Sequence, residues 1–222
     1  MSKRTLKYWG LTAEKMVFFA VAMSIVFVLF QLLMMSDDGV LEVMSRMPAF
    51  MLIFATITLL TVQVSHITTT ASLTISLGAT RRETFYGMHW MNLLTVVQLA
   101  IVFDLAARFC AGGTLWRFGD LRLLGLAILL IGAALGQLGA WLKQAFGKAG
   151  QIFMVITVML VSGFCGFCAS GAIHFAEDTG IAYAVIGKEV VLTAVILMAA
   201  AAAVYAIAAI QLHRQLMKYE VQ

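Results

Sequence analysis

The chain is 222 residues long, 62% hydrophobic and only 12% charged, with a formal net charge of +4 and a mean hydropathy of +0.97. Soluble domains carry about twice that share of charged residues, so the composition excludes a water-soluble globular protein and places the chain in a bilayer. The few charges are dispersed over separate segments, which offers a nucleic acid no basic stripe to bind.

Six apolar runs lie near 16–35, 48–68, 88–107, 121–141, 152–173 and 189–210. Each comes close to the roughly 20 residues a helix needs to cross the hydrocarbon layer. They are too uniformly apolar for the alternating strands of a membrane barrel, and lipid offers no partner to unpaired backbone. The predicted fold is therefore all-α, a single transmembrane domain over 1–222 with six helices. Lysine and arginine orient it. With the N-terminus inside, the inner segments hold Lys3, Arg4, Lys7, Lys15, Arg81, Arg82, Lys143, Lys148, Arg214 and Lys218 of the fifteen basic residues. Arg46, Arg108, Arg117, Arg122 and Lys188 fall outside, as do Asp37, Asp38, Glu42, Asp104, Asp120, Glu177, Asp178 and Glu189. Both termini are predicted to be cytoplasmic, against the local vote of the three arginines near the third loop.

In chain order, Leu6, Trp9, Ala13 and Val17 recur at helical spacing against Lys3, Arg4, Lys7 and Lys15. Residues 1–15 thus suit a short interfacial helix in the inner headgroup layer, or an ordinary basic flank. The first run is long and is followed by Met34, Met35, Ser36 and Asp37 with no small-residue cleavage pattern, so it is expected to stay as a span. From Pro48 a second helix is expected to continue through Gly78, about 45 Å in all and longer than the bilayer is thick, so that its last third, His66, Thr68, Thr69, Thr70, Ser72, Thr74 and Ser76, too polar for lipid, projects into the cytosol.

Gly78 reads as that helix's C-terminal cap, and Thr80 with Glu83 makes a T-x-x-E capping box opening the next helix. The two helices are predicted to meet at a tight corner bearing Arg81 and Arg82, with Phe85 and Tyr86 as apolar bulk suited to a groove on a partner protein. The plainer alternative is a basic loop that only fixes topology.

The stretch Ser76 to Gly87, SLGATRRETFYG, resembles the coupling helix of the permease subunits of type-2 ABC exporters, whose pattern is S-x-G-x-[ST]-R-[KR]-x-x-[FY]. The motif covers about a dozen residues and the six-helix architecture covers the chain. The resemblance implies a cytoplasmic coupling helix at 76–87 whose Gly78, Thr80, Arg81, Arg82, Glu83 and Phe85 contact an ATP-binding cassette subunit. It implies a second permease, identical or paralogous, an elbow helix before the first span, and an external insertion matching His174 to Lys188. It also implies residence in a bacterial plasma membrane. Four-helix permeases of the macrolide-exporter and cell-division type share an LGA-plus-basic pattern, but they carry a large external domain where this chain has only Ser36 to Met47.

A phosphate-cradling G-x-x-x-x-G-K-[ST] loop is lacking: Gly147-Lys148 and Gly187-Lys188 have neither the upstream glycine nor the following hydroxyl. The expectation is a non-enzymatic transport subunit without a cofactor of its own, with ATP and Mg held by the partner and docked also near Trp141 to Gln151. No catalytic or metal residues are expected. Cys165 and Cys168 form a C-x-x-C within an apolar run, where small packing residues are the default over a redox or metal site with Cys110 or His174. His66, His89, His174 and His213 are scattered over distant segments and suggest no acid–base pair.

Gly132, Gly136 and Ala140, and Ser162, Gly166 and Ser170, recur every fourth position and read as seams where helices approach closely, within one chain or between two. Thr56, Thr58, Thr61 and Gln63 of the second run and Asn92 and Gln98 of the third are candidates to line a weakly polar substrate path, or act as interhelical glue. Asp104 is either the rim of that path or an i, i+4 partner of Arg108. Such a lining suits a hydrophobic or amphipathic cargo, a peptide or drug, exported by the driven pair. The competing reading is a membrane scaffold or sensor that recruits a cytosolic protein through the same corner.

Overall fold

The structure is a computed structural model that describes residues 3–34, 40–65, 74–75, 78–110, 119–150, 152–153, 155–157, 159–160 and 182–218. These residues are helical apart from turns and caps, and none is in a strand. The helices are α1 (Lys3–Met34), α2 (Val40–Ser45), α3 (Met47–Ser65), α4 (Arg81–Phe109), α5 (Gly119–Phe146) and α6 (Ala182–Lys218). Five of them, all but α2, hold stretches long and apolar enough to cross a membrane. The predicted fifth span, 152–173, is helical where 152–153, 155–157 and 159–160 are described. Cys165, Cys168, Ser162, Gly166, Ser170 and the polar stretch 66–73 lie outside the described residues.

Three element boundaries differ from expectation. Residues 3–15 form no separate interfacial helix, because α1 runs unbroken for 32 residues, about 48 Å. Nothing in Leu6 to Val17 breaks a helix, and its Trp9 and Ala13 are wholly buried against other helices instead of lying in headgroups. The segment 76–87 is no independent helix either, since from Arg81 onward it belongs to the 29-residue α4. The end of the anticipated insertion, 182–188, is already the first turns of α6.

Packing is organised around α3, which touches α1, α4 and α5, while α6 rests mainly on α5. One core cluster joins Ala20 of α1, Met51, Ala55 and Leu59 of α3, Leu99 and Phe103 of α4, and Leu129 and Ala133 of α5. A second gathers Trp9, Ala13 and Met16 with Met88 and Met91 of α4, Ala140 of α5 and Leu212 of α6. The second cluster places the starts of α1 and α4 and the ends of α5 and α6 at one end of the bundle. Lys7, Arg81, Arg82, Lys143, Lys148 and Arg214 therefore share that end, the grouping the charge pattern predicts.

Between lipid-embedded helices there is little hydrophobic drive, so close backbone contact must carry the packing. Gly132 and Gly136 supply it within the chain. A Cβ on Gly132 would stand 3.1 Å from Thr56 Cγ2, and one on Gly136 would stand 2.6 Å from the Leu59 carbonyl and 2.9 Å from Gln63 Oε1. On α6, which packs chiefly on α5, the buried Ala194, Ala201 and Ala208 recur every seven residues and form a matching stripe of small side chains. At the basic end the indole of Trp9 lies where a side chain on Gly87 would be, so α1 and α4 meet ring to backbone.

Candidate functional site

The corner ahead of α4 is built from local rules. Thr74 and Ile75 are helical, and the chain then closes a paired turn: Ala79 N–H donates to the Thr74 carbonyl and Gly78 N–H to the Ile75 carbonyl, both at 3.0 Å. This is a Schellman cap, with Gly78 at φ +89°, a left-handed position that a Cβ disfavours. Two residues later Thr80 opens α4. Its Oγ1 accepts from Glu83 N–H at 3.1 Å, and Glu83 Oε2 accepts from Thr80 N–H at 3.2 Å, completing the capping box expected from T-x-x-E. A buried hydroxyl pair, Thr74 Oγ1 to Thr84 Oγ1 at 3.2 Å, braces one helix against the other. Only five residues, 76–80, separate Ile75 from Arg81, so the corner has little slack.

Of the six residues expected to meet a partner there, Gly78, Thr80 and Arg82 are exposed and Arg81 and Glu83 half-buried. Phe85 turns inward and is 8% exposed. It stands edge-on to His89 with centroids 4.3 Å apart and to His213 of α6 at 4.9 Å. Tyr86 is the exposed aromatic, with the Arg82 guanidinium 5.9 Å from its ring centre, at the outer limit of a cation–π contact.

From Phe85 a polar thread runs into the bundle. His89 Nδ1 and the Tyr205 hydroxyl of α6 share a hydrogen bond of 2.6 Å. Asn92, one turn deeper on α4 and close to the Tyr205 hydroxyl, donates through Nδ2 to Gln137 Oε1 of α5 at 3.4 Å. Gln63 of α3 lies beside Gly136, next to Gln137. Among the described residues, neither amide atom of Gln63, nor Gln137 Nε2, has a hydrogen-bond partner, although both residues are no more than 3% exposed. Three helices, α4, α5 and α6, thus contribute hydrogen-bonded polar groups at the basic end, with Gln63 of α3 beside them.

The remaining candidates for a substrate path divide. Thr56, Thr58 and Thr61 donate to carbonyls of the preceding turn, Leu52, Phe54 and Ile57, at 2.7–2.8 Å, so their hydroxyls serve their own helix. Thr61 is also exposed on the outside of α3. Gln98 is half-buried with its Oε1 unpartnered. Asp104 lies at the far end, where Arg108 Nε donates to Oδ2 at 2.7 Å and Arg122 of α5 to Oδ1 at 2.8 Å. Its carboxylate is thereby committed to two cations and staples α4 to α5. Cys110 lies nearby with Sγ 3.9 Å from Met47 Sδ, and among the described residues no three His, Cys, Asp or Glu side chains converge on a common point.

The histidines are what sequence spacing hides. His89 and Tyr205 are 116 residues apart, and nothing local announces their contact. Depth offers a signal: His89 follows Arg81 by two turns at the start of one helix, and His213 adjoins Arg214 at the end of another, so both belong to one level of the bundle. The inward aim of Phe85 was also readable, because Phe85, Met88, Asn92, Val96 and Leu99 share one helical face and all are buried.

No family model, curated protein or solved structure matches the chain.

Proposed function

We propose that the chain is the membrane-spanning permease of an ATP-driven exporter in a bacterial plasma membrane. Its basic end faces the cytoplasm and carries both termini, and the run 152–173 supplies a sixth crossing. A separate ATP-binding cassette subunit, which holds ATP and Mg, grips the corner at Gly78, Thr80, Arg81, Arg82 and Glu83 from the cytosol, with a second permease beside the first. The observation that carries this reading is the corner itself, capped on both sides, braced by Thr74 and Thr84, and continuous with α4. A corner that only set topology would need the two arginines but not those three fastenings.

In this reading nucleotide-driven closure of the ATPases displaces Arg82 and its neighbours, and the stiff corner tilts α4 with the helix that ends at Gly78. The tilt acts on the thread His89–Tyr205–Asn92–Gln137, which crosses from α4 to α5 and α6, and alternately opens the bundle to either side. The amide of Gln63 and the Nε2 of Gln137, without partners among the described residues of a mostly apolar interior, favour a hydrophobic or amphipathic cargo, a peptide or drug, over a bare ion.

A second reading, a membrane scaffold that recruits a cytosolic protein by the same corner, draws support from the threonines, which bond their own helix and leave a short polar lining. One preparation separates the two. The intact complex, purified from native membranes and reconstituted in proteoliposomes, is expected to contain a nucleotide-binding subunit and to lose ATP-driven transport, but not assembly of the bundle, on Arg82→Glu. Purification with a different cytosolic protein, or full transport by the variant, overturns the exporter.

A further inference from the structure

We infer that the groove between α4 and α6 at the basic end is a seat for an anionic phospholipid, its phosphate held by Arg214 and His213 and one acyl chain laid along α6. This holds for an exporter and for a scaffold alike, since it needs only that the helices cross a membrane.

The groove encloses about 480 Å³, within the usual range of small-molecule sites. Its floor is Phe85, His89 and Tyr205. His89 and Tyr205 use their polar atoms on each other, so the floor presents ring faces and edges more than spare hydrogen bonds. Ala206, Ala209 and Ile210 form one wall, with Ile210 53% exposed, a smooth strip suited to methylene groups. The mouth is different. His213 and the exposed Arg214 close the outer end one turn beyond Ile210, where both offer hydrogen-bond donors and Arg214 a positive charge. Among the described residues no carboxylate lines the groove to answer that charge.

Depth identifies the ligand. Tyr86 and Trp90 stand 52% and 42% exposed on the adjoining face of α4, where with Leu6 and His89 they line a neighbouring apolar groove. Exposed Tyr and Trp at a helix end mark the headgroup level of a bilayer, so the mouth lies where lipid phosphates are and the alanine strip where acyl chains are. Basic pockets between helices at the inner surface are the sites that select anionic headgroups. A charged mouth on an apolar trough favours a molecule with both parts over inorganic phosphate or a neutral lipid.

The test uses the full chain, delipidated in mild detergent and returned to bilayers of phosphatidylcholine containing phosphatidylglycerol, with retained lipid read by native mass spectrometry. Wild type is expected to keep phosphatidylglycerol in preference to phosphatidylcholine. Arg214→Gln should cut that retention about fivefold, the worth of one cation near a lipid phosphate. Ala209→Phe should abolish it by filling the trough, while Lys148→Gln, at the same end but outside the groove, should leave it unchanged. If Ala209→Phe fails to fold, Arg214→Glu, at an exposed position, answers the same question. Wild-type retention in Arg214→Gln or Arg214→Glu, or equal retention of the two lipids, overturns the proposal. So does displacement of the lipid by glycerol phosphate alone, which would assign the mouth to a soluble phosphate. A disulfide from Ala209→Cys to Cys165 or Cys168 also overturns it, because the chain's own segment would then fill the groove.

Discussion

The two ends of the bundle handle charge in opposite ways. At one end Asp104 accepts from Arg108 and Arg122, so a carboxylate and two guanidinium groups close on each other and tie α4 to α5. At the other, Arg81, Arg82, Lys143, Lys148 and Arg214 gather with far less acid among them, and the best-placed carboxylate, Glu83, is engaged in capping α4. Charge paired in this way is a fastening. Charge in excess, mounted on a rigid corner and around a groove, is what the proposed docking of a protein and of an anionic lipid would use.

The contrast is sharpened by variants that damage structure at one place and association at another. The largest effect is expected from Gly136→Val, whose side chain must enter the space of the Leu59 carbonyl and Gln63; overpacking of this kind costs about 1–3 kcal/mol. Its thermal unfolding in detergent should fall well below that of wild type, and an unshifted midpoint would mean that α3 and α5 do not pack through this seam. Next comes Asp104→Asn, which removes the negative charge between two arginines and leaves one neutral acceptor oxygen for both, and should destabilise by about 1 kcal/mol, since the groups are partly exposed. In a double-mutant cycle with Arg122→Gln the losses should be less than additive; strict additivity would dissolve the triad as a unit.

Thr80→Ala removes the cap of α4 and should cost about 1 kcal/mol. The loss should show as faster amide exchange confined to the first turn after Arg81, whereas uniform protection would count against the rigid corner. Smallest in stability is Arg82→Gln, within about 0.5 kcal/mol of wild type as is usual for exposed sites. Recovery of the cytosolic partner in pull-downs should nevertheless drop sharply. A variant that unfolds and still binds would reverse the assignment of the two ends.

How much of this was legible depended on range. Five candidate spans follow from apolar runs, the corner from Gly78 and T-x-x-E, and a small-residue face on α5 from glycines four apart, all local signals, whereas the helix that meets that face, α3, is not named by spacing. The ion pair of Asp104 with Arg108 is equally local, whereas its second partner, Arg122, comes from another helix. The unbroken α1 is not legible in Lys3, Arg4, Lys7 and Lys15, because basic residues flank an interfacial helix and a span alike, and a helix passes from headgroups into lipid without needing to end. The thread through His89, Tyr205 and Gln137 depends on how α4, α5 and α6 are rotated against each other, and no spacing along one helix encodes that.

Trp9, pressed on the backbone of Gly87, gives the molecule a built-in gauge. Only four tryptophans are present, and this one is wholly shielded from its surroundings. Any stroke that swings the start of α4 off its neighbour must lift a flat aromatic plate away from a peptide plane, changing the polarity around the indole. Emission colour and lifetime would register each such excursion in the unlabelled protein.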